Sequence, residues 1–177
     1  ILKLAGIDNM PIESHVLQCF VTEPVKPVLD AVVMFGASHF SIVQSDKGGL
    51  VFGGDIDSYN SYARRGNLAT VEHVMEAGMT LMPMLARAKV LRSWGGIMDM
   101  TPDGSPIIDR APVDGLYLDC GWCYGGFKAV PGSGFALAHL LATDRPHETA
   151  TAFRLDRFTT GRGLMDEEGK GAQHNLH

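Results

Sequence analysis

One change of period constrains this chain more than any other feature. From Ile12 to Gly54 apolar and polar residues tend to alternate, and from Leu68 to Met82 the apolar ones return mostly every three or four residues. Alternation sends successive side chains to opposite faces of a strand, whereas the longer spacing lines one face of a helix. An antiparallel meander followed by an amphipathic helix is therefore expected. The strands are Ile12–Glu23, two short runs over Ala31–Gly36 and His39–Gln44, and Leu50–Gly54 after the turn Asp46–Gly49. Pro24 and Pro27 end the first strand, and Pro83 limits a helix over Asn67–Met82. Its stripe is Leu68, Val71, Val74, Met75, Met79 and Met82, in which methionine reads as core filling. The first eleven residues carry no clear period.

The second half has a different grammar. Ala88–Trp94 reads as a strand leading into Gly95–Met100, Thr101–Pro106 as a turn, and Ile107–Asp109 as a short apolar run. A strand over Gly115–Gly121 then enters a glycine-rich turn, Trp122–Lys128, and a helix is expected from about Gly132 to Ala142, stopped by Asp144-Arg145-Pro146. Strand, glycine turn and helix together are the strongest functional signal. Such a turn lets backbone N–H groups approach a ligand, and a helix N-terminus favours negative charge. Lys128 is the only Lys, Arg, Asp or Glu between Gly121 and Ala142, and a cation in such surroundings asks for an anionic partner. Neither GxGxxG nor GxxxxGK[ST] occurs.

Composition removes other classes. The 177 residues carry 15 Lys plus Arg against 20 Asp plus Glu, a net charge of -5, which argues against a nucleic-acid footprint. No apolar run approaches the ~18 residues of a membrane span. Three cysteines make no disulfide framework and suit a reducing, cytoplasmic setting. Cys120 and Cys123 have CxxC spacing, but the expected helix starts well beyond them, and no second pair completes a zinc site. His15, His39, His73 and His139 stand isolated, His174 and His177 lie in a polar tail from Asp166, and Ser133 lacks a nucleophile-elbow context. No metal is expected.

Three stretches carry a family resemblance: Gly95–Asp109 with its Met-Thr-Pro-Asp-Gly-Ser-Pro core, Gly115–Gly121, and Gly125–Gly134. Together they resemble the C-terminal signature of FAD-dependent amine oxidases, the group of D-amino-acid oxidase, sarcosine oxidases and dimethylglycine dehydrogenase. Leu155-Asp156-Arg157-Phe158 and Gly163–Glu167 narrow the likeness to β subunits of heterotetrameric sarcosine oxidases. The resemblance implies an α+β fold. A mixed, largely antiparallel substrate-domain sheet with one long helix would occupy 1–94. The C-terminal strand, turn and helix of a Rossmann-like FAD-binding domain would occupy 95–150, and a C-terminal tail 151–177.

The same resemblance implies roles. Cys123, Gly125, Gly126, Phe127 and Lys128 would lie against the flavin of FAD, with Lys128 also the catalytic cation that pairs with the substrate carboxylate. Met98 replaces an aromatic that lines the pocket in some members, and Tyr59 and Tyr62 are further pocket candidates. Gly96-Ile97-Met98 stands where some members attach FAD through cysteine, so that link is not expected. FMN at a subunit interface would be held by a histidine of the N-terminal half that this chain lacks. The implied reaction is oxidative demethylation of sarcosine to glycine, with hydrogen peroxide formed and a one-carbon unit passed to tetrahydrofolate, inside a hetero-oligomer. Dimethylglycine or another secondary amine is the alternative substrate, and a non-catalytic module that docks to partner subunits is the alternative class.

Overall fold

The computed structural model describes residues 2–63 and 65–161. The chain divides into two compact units, Ser14–Ile97, and Ile1–Glu13 with Met98–His177. The first thirteen residues thus group with the later unit, and the division expected at 94/95 falls inside a strand.

The unit Ser14–Ile97 is built on a five-stranded sheet. Its strands are β1 (Glu13–Pro24), β2 (Val33–Phe35), β3 (Phe40–Gln44), β4 (Gly49–Ile56) and β5 (Val90–Met100), in the order β2-β3-β4-β1-β5. The pairs β2/β3, β3/β4 and β1/β4 are antiparallel. Phe20 stands opposite Phe52 in the β1/β4 register, with ring centroids 5.5 Å apart. Alternation along β1 sends Val16, Gln18, Phe20 and Thr22 inward. The strand β5 does not stop at Trp94 but runs through Gly95-Gly96 to Met100, since a glycine pair is compatible with extended backbone.

Helix α1 (Leu68–Leu81) covers the sheet. Asn67 caps it, its side chain accepting from the Thr70 N–H at 2.7 Å. The buried line is Thr70, Val74 and Gly78, with Val71, Met75 and Met82 packed beside the core, while Leu68 and Met79 of the expected stripe are exposed. Val74 meets Phe20, Phe40, Ile42, Leu50 and Phe52 in one apolar cluster. Burial of each such side chain contributes roughly 1.5–3 kcal/mol. At Gly78 a Cβ would lie 2.9 Å from the Phe40 ring, so the missing side chain is what seats the helix there.

In the other unit, β6 (Ile107–Arg110) and β7 (Tyr117–Cys120) form an antiparallel hairpin with Ile107 opposite Cys120. Helix α2 (Gly126–Thr143) buries Ala136 and Leu140, and Ala136 packs on Ile108 and Ala150. It starts six residues ahead of the expected Gly132. Pro131 lies within it and removes only its own N–H, the donor to the Phe127 carbonyl, so five residues of helix precede it. The region expected as a tail from 151 begins with order. A 3-10 turn over Glu148–Phe153 leads to α3 (Arg157–Thr160), whose Arg157 is buried. The polar stretch from Asp166, with His174 and His177, and the Gly163–Glu167 motif lie outside the described residues.

Candidate functional site

The expected flavin-facing residues gather where β7 passes into α2. Gly121 makes the corner at φ +70°, and a Cβ there would lie 2.6 Å from the Thr101 methyl, so only glycine fits. Trp122 follows, fixed by its indole N–H donating to Asp119 Oδ1 at 2.6 Å. Cys123 is left-handed at φ +49°, and its N–H donates to the Asp99 carbonyl at 3.0 Å. Gly125 is the N-cap of α2 and brings no capping side chain. Gly126, Phe127 and Lys128 are therefore the first helical turn rather than part of a loop, and their N–H groups have no intrahelical acceptor.

A cleft of about 330 Å³ opens beside this turn, lined by Met100, Pro106, Trp122, Cys123, Gly125 and Lys128 among others. A second, of about 290 Å³, lies between Trp122, Lys128 and the residues Ala150 and Phe153. Lys128 is the one charged side chain lining either cleft, and it has no ion-pair partner among the described residues. Its position opposes the helix dipole, which places about half a positive charge at an N-terminus. An anion in the cleft would reverse that balance.

The opposite wall is the turn Thr101–Ser105. Thr101 is buried, its hydroxyl donating to the Ser105 carbonyl at 2.7 Å and lying 3.6 Å from Cys123 Sγ. Asp103 is held from below by Arg157, whose Nε donates to Oδ2 at 2.7 Å. In the sequence Arg157 stands out only as part of the Leu155-Asp156-Arg157-Phe158 signature. Its partner is 54 residues away, and no local pattern announces such a pair.

Of the other expected residues, Met98 is half-buried on β5. Phe127 belongs to the turn but is 97% exposed. Tyr59 and Tyr62 lie in the unit Ser14–Ile97, both exposed, on the loop between β4 and α1. The histidines are less isolated than their spacing suggested. Asp55 takes His73 at 2.7 Å and His39 at 3.7 Å, and His15 is buried against the Asp57 carbonyl. No group of three His, Cys, Asp or Glu side chains among the described residues is arranged to hold a metal. No helix among them is long and apolar enough to cross a membrane.

The thiols differ from a redox pair for a reason other than the one expected. Helix α2 begins only three residues beyond Cys123, so a helix N-terminus is close after all. Burial, then the charges of Asp99 and Asp119, push the Cys120 thiol up to about 11, away from the reactive thiolate.

Residues 2–140 match the family described as FAD dependent oxidoreductase (DAO). The chain belongs to this family. The sarcosine oxidase subunit beta of Rhizobium meliloti (strain 1021) is 68% identical over 177 residues, which are 100% of this chain and 42% of that protein. The subunit of the same name from Arthrobacter sp is 48% identical over 170 residues, 96% of this chain and 42% of that protein. The chain thus spans less than half the length of the curated relatives it matches. L-proline dehydrogenase from P. horikoshii superposes with a TM-score of 0.80 at 26% identity, over 91% of this chain and 44% of that one. Glycine oxidase from Geobacillus kaustophilus gives 0.74 at 23% identity over 84% of this chain and 40% of that one, a likeness of fold. The α+β architecture with an antiparallel sheet is the one this DAO family member was expected to have.

The residues present fit a flavin. A flat, largely apolar ring with a polar edge matches a cleft walled by Met100, Pro106 and Trp122 and ended by the free N–H groups and cation of one helical turn.

Proposed function

We propose that this chain supplies part of a sarcosine-oxidising flavoenzyme: the substrate sheet, within Ser14–Ile97, and the last strand, turn and helix of the FAD-binding domain, within the unit that holds Met98 onward. The observation that carries the reading is the coincidence of Lys128 with the uncapped start of α2 on one apolar cleft. The identity to sarcosine oxidase β subunits supports sarcosine as the amine.

Bound FAD would accept the two electrons that leave the amine carbon. The residues of this chain do the rest of the work at this end of the site. The N–H groups of Gly126 and Phe127 and the ammonium of Lys128 stabilise negative charge, in a cleft whose apolar walls weaken competing solvation. Lys128 also pairs with the substrate carboxylate and so orients the N-methyl group. Cys123 shapes the wall through its left-handed backbone, and Met98 contributes to amine binding. Sarcosine loses two electrons and two protons to become an imine, and water then releases glycine and a one-carbon unit at the oxidation level of formaldehyde. That unit passes to tetrahydrofolate, and oxygen takes up the electrons as hydrogen peroxide. FMN belongs to the same assembly, on residues outside this chain.

Partner surface supports the assembly part of the proposal. Helix α2 leaves Phe127, Val130, Phe135 and Leu141 exposed. Exposed apolar area of this kind marks a contact face, and we assign it to the remaining length of the flavoprotein and its sister subunits. The enzyme is expected in the cytoplasm.

The test is anaerobic addition of sarcosine, dimethylglycine or proline to the protein purified with its flavin and partner subunits. Bleaching of the flavin band by sarcosine at the lowest concentration is expected. Preference for another amine would reassign the substrate, and no bleaching by any would overturn the oxidase reading.

A further inference from the structure

A cavity of about 460 Å³ lies within the unit Ser14–Ile97, lined by Glu23, Val25, Pro83, Met84, Arg87 and Ala88. It is larger than either cleft beside Lys128 and shares no residue with them. Two segments make it. One is the end of β1 with the residue just beyond it, and the other is the 3-10 turn Pro83–Arg87 with Ala88, which leads from α1 to β5.

Both segments are pinned. The Glu23 N–H donates to the Lys89 carbonyl at 2.8 Å, and the Lys89 N–H donates to Glu23 Oε1 at 3.2 Å. The Val25 N–H donates to the Gly48 carbonyl at 3.0 Å. Leu85 is buried in the core of the sheet unit, and Met84 and Val25 pack against the same cluster. The walls of the cavity are thus held by the core and by the strands, and the space between them does not depend on a contact across it.

The charges in this lining are unusual. Glu23 and Arg87 bring opposite charges to one cavity, yet neither has an ion-pair partner among the described residues. Glu23 engages one carboxylate oxygen with Lys89, which fixes the side chain and leaves Oε2 open. Val25, Pro83, Met84 and Ala88 supply an apolar wall beside the two charges.

Such a lining selects by exclusion. A phosphate would meet Arg87 but be repelled by Glu23, and a metal cation would meet the reverse. A zwitterion satisfies both: its ammonium donates to the carboxylate, and its own carboxylate accepts from the planar guanidinium fork. The apolar wall gives an aliphatic side chain a place to leave water. No cysteine, histidine or hydroxyl side chain lines the cavity, which suits binding rather than reaction.

We propose that this cavity is a binding site for a zwitterionic α-amino acid with an aliphatic side chain, Glu23 taking the ammonium and Arg87 the carboxylate. The site is independent of the amine-oxidase reading above and stands or falls without it.

The experiment is calorimetric titration of the oxidised, flavin-loaded protein with its partner subunits, without oxygen, using L-leucine as the probe. Saturable binding of one leucine per chain is expected, with a Kd below about 5 mM. Glu23→Gln keeps an oxygen for the Lys89 N–H and loses only the charge, and Arg87→Gln changes an exposed side chain. Each is expected to weaken leucine binding at least about tenfold, the loss that follows removal of a charged hydrogen-bond partner. Flavin reduction by sarcosine should be unchanged in both. N-acetyl-L-leucine and L-leucinamide each lack one of the two charges and should bind at least about tenfold more weakly than leucine. Leucine binding should persist in Lys128→Met. A Kd above the expected range, or unchanged binding in both Glu23→Gln and Arg87→Gln, would overturn the site. N-acetyl-L-leucine binding as tightly as leucine would overturn the zwitterion and the role of Glu23. Loss of leucine binding in Lys128→Met alone would place the amino acid in the flavin cleft and likewise overturn the proposal.

Discussion

Arg157 and Asp103 meet as a two-pronged ion pair, Nε to Oδ2 at 2.7 Å and Nη2 to Oδ1 at 3.1 Å, with both side chains 4% exposed or less. The same Nη2 also donates to the Ser105 carbonyl at 2.8 Å. The pair therefore braces the turn that forms one wall of the cleft beside Lys128. Removing one partner of a buried pair leaves an uncompensated charge, at a cost of about 3–5 kcal/mol. Arg157→Met is expected to lower unfolding stability by that amount, measured by denaturant titration. Replacing both residues, Asp103→Leu with Arg157→Met, should cost less than Arg157→Met alone. A loss below about 1 kcal/mol for the single change would show that the pair does not brace the turn.

Lys128 sits in the first turn of α2, where a positive charge opposes the dipole. Lys128→Met is therefore expected to leave thermal stability unchanged or to raise it by about 0.3–1 kcal/mol. A clear loss of stability would mean that Lys128 has a structural partner.

Cys120 titrates late. Its thiol is raised from the ordinary 9.0 to about 11 by burial and then by Asp99 and Asp119. A folded value above the unfolded one gives stability that is complete below pH 9 and is lost as pH rises toward about 11. Denaturation midpoints at pH 8 and pH 10.5 should differ more in the parent than in Cys120→Ala. Equal differences would place the thiol in an ordinary environment. Iodoacetamide should likewise modify Cys120 slowly at pH 8, since the thiolate is the nucleophile.

At Gly78 the space for a side chain is already taken by Phe40 and Leu85, at 2.9 Å and 3.1 Å from a built Cβ. Gly78→Val should destabilise by about 1–3 kcal/mol through overpacking. A neutral result would show that α1 can lift from the sheet without cost.

What could be read from the residues was what local periodicity controls. Alternation located β1 and β4 to within a few residues, and the three-and-four spacing ahead of Pro83 located α1. The glycine turn drew attention to Lys128 because its chemistry is local as well. The start of α2 was misplaced because Pro131 reads as a helix boundary, although within the first two turns it removes a single bond. Arg157 with Asp103, Asp57 with Asn67, and Asp55 with two histidines could not be read. Each joins distant positions through side chains that look like ordinary polar residues in one dimension. Gln18 shows the difficulty most plainly: its place on β1 faces the core, and alternation alone gives no reason for an amide there.

The central claim is that Lys128 and the uncapped first turn of α2 form the charge-stabilising end of a flavin site. Its most direct test is the rate of anaerobic flavin reduction by saturating sarcosine, by stopped-flow absorbance, in the parent and in Lys128→Met matched for flavin content. Loss of an oxyanion-type donor lowers such a rate by about 10²–10³, and a fall of that size is predicted. Equal rates in the two proteins would contradict the account.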